Sequence, residues 1–301
     1  EHLQKDETEK RDLCFKTVLK AIELQQWDLI RRAEKPLSTL VNHKGESLLT
    51  VCVGQGMTRQ VQEIFNQKLV ETLSAGHHEF ALHKAAKRGH IDLMRLLWMS
   101  TNIDQPKASG KTPLHVAIKY NQTQAVEALL KNGAHATMLY KGFSALAWAV
   151  SKGSTKCVDL IVREDKKVQL TAETPSYGNL LHLAIQSGQF PMLKHLLTVY
   201  FDKTQPLIEQ SILERTPLME AAYLGDTQAI HLLYKKEAAL EKTDPQWQTA
   251  LHWAVHGKSS EAIKTLGYLG AKLSASDVQG TRPVDLIKGK EDYTSKALTS
   301  L

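Results

Sequence analysis

One pattern recurs along this chain every 32 to 37 residues, and it constrains the fold more than any other property of the sequence. Leu49, Leu82, Leu114, Leu146, Leu181, Leu218, Leu251 and Val284 occupy equivalent places, spaced by 33, 32, 32, 35, 37, 33 and 33 residues. Three residues after these anchors stand Cys52, Ala85, Ala117, Ala149, Ala184, Ala221, Ala254 and Ile287. Seven after stand Gly56, Gly89, Asn121, Gly153, Gly188, Gly225 and Lys258, and fifteen after stand Ile64, Leu97, Leu129, Ile161, Leu196, Leu233 and Leu266. A unit this short cannot bury its apolar face alone, so successive units must stack.

Each column has a mechanism. Glycine or asparagine after a short helix takes the left-handed conformation that ends it and lets the chain reverse into a second helix. The alanine column lets neighbouring helices approach closely. Apolar pairs such as Leu96-Leu97, Leu129-Leu130, Leu160-Ile161, Leu196-Leu197 and Leu232-Leu233 form the buried stripe of that second helix. Ahead of the anchors, Thr112-Pro113, Thr216-Pro217 and Thr249-Ala250 fit a helix start, with threonine as cap and, in the first two, proline in the first turn.

The tripeptide Gly110-Lys111-Thr112 also ends the phosphate-binding loop G-x-x-x-x-G-K-[ST], whose first glycine wraps the phosphates. Gln105 stands where that glycine must be, and the preceding residues are turn formers where a strand is required. The tripeptide therefore belongs to the repeat frame.

The stretches "GKTPLHVAIK", "FALHKAAKRGH", "NLLHLAIQSGQ", "RTPLMEAAYLGD" and "QTALHWAVHGK" resemble ankyrin repeats, and the likeness spans residues 42–290. The resemblance implies an all-α solenoid of stacked helix-turn-helix units with protruding β-hairpin fingers and helical caps. Its inner helices and fingers would bind partners. Residues 1–41, with the amphipathic "FKTVLKAIELQQWDLIRRA", align on Val18 and Ala21, with Gln25 where glycine is expected. They read as a degenerate first repeat or a helical cap, since a solenoid must cover its apolar end. Residues 291–301 read as a polar C-terminal tail, and a single continuous array needs no internal boundary.

No apolar run approaches the length of a membrane span, and the charged start "EHLQKDETEKRDL" is not signal-like. Three widely spaced cysteines, Cys14, Cys52 and Cys157, form no C-x-x-C pair and favour a reducing, cytoplasmic setting. Cys52 and Cys157 read as small buried residues. The chain begins with Glu1, which fits an excerpt of a longer protein.

His83, His115, His182 and His252 each follow an anchor by one residue. Equivalent residues on packed helices lie roughly 8 to 10 Å apart, too far to share a zinc ion at about 2.0 Å. The resemblance gives these histidines a structural role, tying adjacent turns by hydrogen bonds. His77-His78 reads as part of a solvated finger. "GFSAL" lacks the second glycine of a nucleophile elbow, and Ser144 reads as a helix cap. No catalytic, cofactor or metal residue is assigned.

Charge is unevenly spread. The chain carries +6, yet residues 84–152 hold ten Lys or Arg against Asp92, Asp104 and Glu127, a net +7. By the resemblance, Lys87 and Arg88, Lys119 and Tyr120, and Ser151 and Lys152 end consecutive inner helices. Lys111, Tyr140, Lys141 and Phe143 lie in the fingers beside them. A basic concave edge interleaved with aromatics suits an acidic protein segment, because charge steers the encounter while aromatics supply buried contact. Phosphorylated ligands and nucleic acid rank below it, since no nucleic-acid module accompanies the patch. Lysines that only keep the solenoid in solution are the competing reading.

Tyr223 and His256 continue the edge with less charge. Trp247, in "DPQWQTALHWAV", replaces the usual finger glycine and reads either as an interface anchor or as packing against a neighbouring finger. Trp148 and Trp253 read as core. The longer spacings place insertions within residues 163–178 and 198–215, the second read as an extended helix or extra turn. The expected function is a monomeric, non-catalytic protein-interaction module. Two alternatives remain at this point: a substrate-recruiting array of a larger enzyme, or an effector of an intracellular bacterium acting on proteins of the host cytosol.

Overall fold

The computed structural model describes residues 2–32, 37, 40–69, 78–99, 101–165, 170, 178–201 and 215–287, with backbone alone for residues 2–8, 78 and 79. The chain divides into two compact units, Glu1–Ala145 with Asp159–Lys166 and Leu146–Val158 with Lys167–Leu301. The first unit opens with α1 (His2–Glu23) and α2 (Trp27–Arg31). The pairs α3 (Leu48–Gln55) and α4 (Thr58–Asn66), α5 (His78–Arg88) and α6 (Ile91–Trp98), and α7 (Pro113–Lys119) and α8 (Thr123–Lys131) follow. The units divide within the pair α9 (Ala145–Ser151) and α10 (Thr155–Glu164). The second unit holds α11 (Leu180–Gln186) and α12 (Phe190–His195), α13 (Pro217–Leu224) and α14 (Thr227–Lys235), α15 (Ala250–His256) and α16 (Ser260–Tyr268), then a 3-10 turn, Asp285–Ile287.

Helix starts follow the capping chemistry. The hydroxyls of Ser47, Thr112 and Thr216 accept the amides of Thr50, His115 and Met219 at 3.3, 3.4 and 3.3 Å, and Pro113 and Pro217 open their helices. The reversals between paired helices are left-handed in each described pair from α1–α2 to α15–α16. Gly56, Gly89, Gly153, Gly188 and Gly225 have φ between 64° and 76°. Asn121 (φ 53°), Lys258 (φ 56°) and Gln25 (φ 58°) take the same conformation without glycine, at a cost of about 1 kcal/mol each. Gln25 thus joins α1 to α2 by the same left-handed reversal. Phe15, Ile22 and Ile30 are buried in this pair, while α1 runs back through the charged N-terminal segment to His2.

Stacking repeats one contact. In the first unit α3 packs on α5 and α5 on α7; in the second, α11 packs on α13 and α13 on α15. The anchor leucines and the alanine column are buried throughout, as are Cys52 and Cys157, whose thiols burial pushes up to about 12 and about 11. Cys14 is exposed on α1.

Four anchor histidines each tie their repeat to the residues that precede the next first helix. Nε2 of His83, His115, His182 and His252 donates to the carbonyl oxygens of Lys111, Phe143, Arg215 and Thr281 at 2.8, 3.3, 2.9 and 3.2 Å. The Thr249 amide donates to Nδ1 of His252 at 3.1 Å, which makes that ring the neutral tautomer, and in the same tautomer Nδ1 of His115 accepts from the Thr112 hydroxyl at 2.8 Å. Burial holds His115 down to about 4, and lowers His182 and His252 as well. Among the described residues no group of three or more His, Cys, Asp or Glu side chains could hold a metal ion.

Some expectations change. His78 opens α5, so the helix begins before the predicted finger ends, and His77 lies outside the described residues. Fingers are turns without ladders: the bridges Val41–Ser47 and Tyr140–Phe143 are isolated, and no strand forms among the described residues. In the second insertion, α12 continues as a π-helical turn, Leu196–Tyr200, with Phe201 buried after it. Residues 202–214 and 288–301, including the predicted tail, lie outside the described residues. Among the described residues no helix is long and apolar enough to cross a membrane.

Candidate partner-binding edge

Four fingers share one turn. Residues 42–46, 107–111, 244–248 and 277–281 each close with a first-residue amide to fifth-residue carbonyl bond of 2.9 to 3.0 Å, and a fourth-residue amide to first-residue carbonyl bond of 2.7 to 3.0 Å. Such a turn needs a left-handed fourth residue. Gly45, Gly110 and Gly280 supply it at φ 71°, 83° and 78°, whereas Trp247 is forced to φ 62°. In three of these turns the first residue also caps it: Asn42, Asp244 and Asp277 each accept two finger amides through Oδ1, at 2.7 to 2.9 Å. This device went unread in the sequence, although the recurrence seven residues before the anchors was its signal. In the fourth turn the place belongs to Lys107.

The finger at residues 140–143 is a two-residue turn in which Lys141 (φ 53°) and Gly142 (φ 79°) are both left-handed, closed by Tyr140 and Phe143 exchanging amide-to-carbonyl bonds of 2.9 and 3.0 Å. This corrects the predicted contact set. Tyr140 is 5% and Phe143 8% exposed, because Tyr140 packs edge-on against the His115 ring, centroids 5.8 Å apart, and the Phe143 carbonyl receives the His115 tie. Both brace the finger. Lys141 stays exposed beside them.

Tyr120, 40% exposed at the end of α7, is the aromatic of the first unit's edge. Nζ of Lys87 lies 4.7 Å and Nζ of Lys119 5.5 Å from its ring centroid. A hydrogen bond from Lys87 holds the Tyr120 phenol below its usual range, with Lys87, Lys119 and Lys111 adding to it. Nζ of Lys111 and of Lys141 lie 4.8 and 5.8 Å from the Tyr140 centroid. Among the described residues no carboxylate pairs with Lys87, Arg88, Lys119 or Lys141. Lys131, on α8, is instead neutralised by Glu127 at 2.8 Å.

Three predicted residues lie in the second unit. Lys152 sits 4.6 Å from the centroid of Trp148, which is buried as expected. Tyr223, 39% exposed, meets Trp253 edge-on at 5.9 Å. Arg215 covers both rings, 4.0 Å from the Trp253 centroid and 5.0 Å from that of Tyr223, and anchors on Glu220 at 3.1 Å. Trp253 is half-buried and donates Nε1–H to Asp244 at 2.9 Å. Trp247 is 61% exposed.

The family described as ankyrin repeats (3 copies) matches residues 49–140 and 181–277, together more than half of the sequence. The chain belongs to the ankyrin-repeat family. Palmitoyltransferase AKR1 of Lachancea kluyveri is 24% identical to it over 237 residues, covering 75% of this chain and 27% of that protein. Inversin of Canis lupus familiaris is 28% identical over 153 residues, 50% of this chain and 14% of that protein. This ankyrin array thus spans 27% or less of these relatives. The human ASB11 ankyrin repeat domain superimposes with a TM-score of 0.61 at 24% identity, over 73% of this chain and 96% of that one. The ankyrin repeat domain of Bcl-3 does so with a TM-score of 0.61 at 20% identity, over 72% and 97%. Ankyrin repeats bind other proteins, and this array carries their frame in both units.

Proposed function

We propose that the array is a non-catalytic, monomeric, cytoplasmic interaction module that captures an acidic protein segment along the basic edge of its first unit. One observation carries this reading: Lys87 and Lys119 gather on the half-exposed ring of Tyr120 without a described carboxylate between them. Cations left unpaired beside an aromatic face favour an acidic chain that also brings apolar contact. Arg88, Lys111 and Lys141 extend the edge, and Lys152, Tyr223 and Trp247 offer secondary contacts on the second unit.

The test is capture from cell lysate by the whole array, at low and high salt, against a Lys87→Glu/Lys119→Glu/Lys141→Glu variant. We expect one discrete protein, lost in high salt and reduced at least about tenfold by the variant, whose thermal midpoint stays that of the wild type. Full retention by a folded variant would remove this edge from consideration.

Trp247 admits a separate check. Its left-handed backbone costs about 1 kcal/mol, so Trp247→Gly is expected to raise stability in urea denaturation by about that amount. A lower midpoint would mean that indole packing outweighs the strain.

A second reading is favoured by the palmitoyltransferases among the relatives, since the matched part is a fraction of a larger protein. Here the array recruits substrates to a catalytic domain elsewhere in a longer chain. The edge and its test are the same under both.

A further inference from the structure

Where three fingers begin with an Asn or Asp that accepts their amides, the finger at residues 107–111 begins with Lys107. Its half-buried side chain has turned away from the finger. Lys107 Nζ lies 5.5 Å from the Phe80 centroid and lines a cavity of about 270 Å³ with Lys44, Ser47, Thr50, Phe80 and Lys84. Burial first, then Lys84, Lys111 and Lys87, hold the Lys107 ammonium below its ordinary range. The carboxylate at the cavity is Glu46, already paired with Lys84, and among the described residues none pairs with Lys107. Ser47 and Thr50 belong to the first turn of α3, so the positive end of that helix also faces the cavity.

A lysine in a capping column forfeits two finger bonds, and the crowding of like charge adds a further cost. A bound anion relieves the crowding. A carboxylate brings one charge, whereas a phosphoryl group brings close to two and three acceptor oxygens, enough for several ammonium donors at once.

We propose that this cavity seats a phosphoryl group carried on the captured acidic segment, with Lys84 and Lys107 as direct partners and Lys87 and Lys111 supplying the surrounding field. The assignment rests on the acidic-segment reading above and names its anchor.

The experiment is fluorescence anisotropy with two acidic nonapeptide pools, identical except for a central phosphoserine or serine, titrated with the wild-type chain and with Lys107→Gln and Glu46→Gln. The phosphoserine pool is expected to bind about tenfold tighter than the serine pool, and Lys107→Gln to erase that preference at an unchanged thermal midpoint. Glu46→Gln frees Lys84 and should strengthen phosphoserine binding about threefold, a gain that a merely structural role for Glu46 would not produce. Equal binding of both pools would overturn the phosphoryl site and leave the acidic-segment reading standing. Binding of neither would overturn both. A preference that survives in Lys107→Gln and in Lys84→Gln would overturn this cavity as its location. Sedimentation with vesicles containing phosphatidylinositol 4-phosphate, without any peptide preference, would replace the peptide by a lipid headgroup and overturn the proposal.

Discussion

Gly257→Ala is expected to destabilise the second unit by about 3 kcal/mol or more, an unusually large effect for one methyl group. Backbone conformation is not the reason, because Gly257 caps α15 at φ −72° and ψ −7°, where alanine is comfortable. Its added Cβ would fall 1.9 Å from the carbonyl oxygen of Tyr223, 2.7 Å from the carbonyl carbon and 2.9 Å from Cα. All three atoms are backbone at the end of α13, so no rotamer change relieves the overlap. α13 and α15 form a tightly packed helix pair, and one of them must move. Urea denaturation followed by far-UV circular dichroism checks this. Gly54→Ala is the comparison: its Cβ would meet the Lys84 side chain at 2.7 Å, which can swing aside, and alanine's helix preference of about 1 kcal/mol offsets that displacement, so the midpoint should stay close to that of the wild type. Equal midpoints for Gly257→Ala and the wild type would show that the two helices are further apart than described.

Lowering the pH from 7 to 5 is expected to weaken the array before its carboxylates titrate. Burial keeps His115 neutral down to about 4, although its bond to Phe143 opposes the shift, and His182 and His252 are lowered from 6.5 for the same reason. In the unfolded chain these rings take up protons near 6.5. Between that value and the folded one the unfolded state binds more protons, so stability rises with pH and is lost as pH falls through this window. For His115 the full loss is on the order of 3 kcal/mol, reached only near pH 4. Glu46 and Asp277 are lowered from 4.5 and 3.8, so their contributions disappear at still lower pH. Thermal midpoints at pH 7, 6 and 5 and constant ionic strength should fall steadily. His115→Gln, which keeps a donor for Phe143 but does not titrate, should flatten part of the slope. A level profile in the wild type would mean that the rings are solvated and the ties weak.

Particular residues show why the frame could be read and the edge only partly. The left-handed column, the threonine caps and the histidine ties recur in several units, so each is supported by its copies even where Asn121, Lys258 or Gln25 departs from glycine. Tyr140 and Phe143 have no such copies. Their residue types suggested contact, and only the His115 ring and carbonyl tie turned them inward. The same limit hid the Lys84–Glu46 pair, whose members lie 38 residues apart in successive repeats of the first unit.

The sequence by itself determined the repeat, its threonine-capped helix starts and left-handed reversals, and the column of buried alanines and leucines, because these depend on spacing and on local backbone preference within one repeat. Tertiary structure alone decided which finger side chains brace the stack and which face outward. It also decided that Lys107 leaves its turn for the cavity beside Phe80 and Lys84. Those outcomes depend on how closely the neighbouring unit approaches, and that distance is set by packing between segments some thirty residues apart.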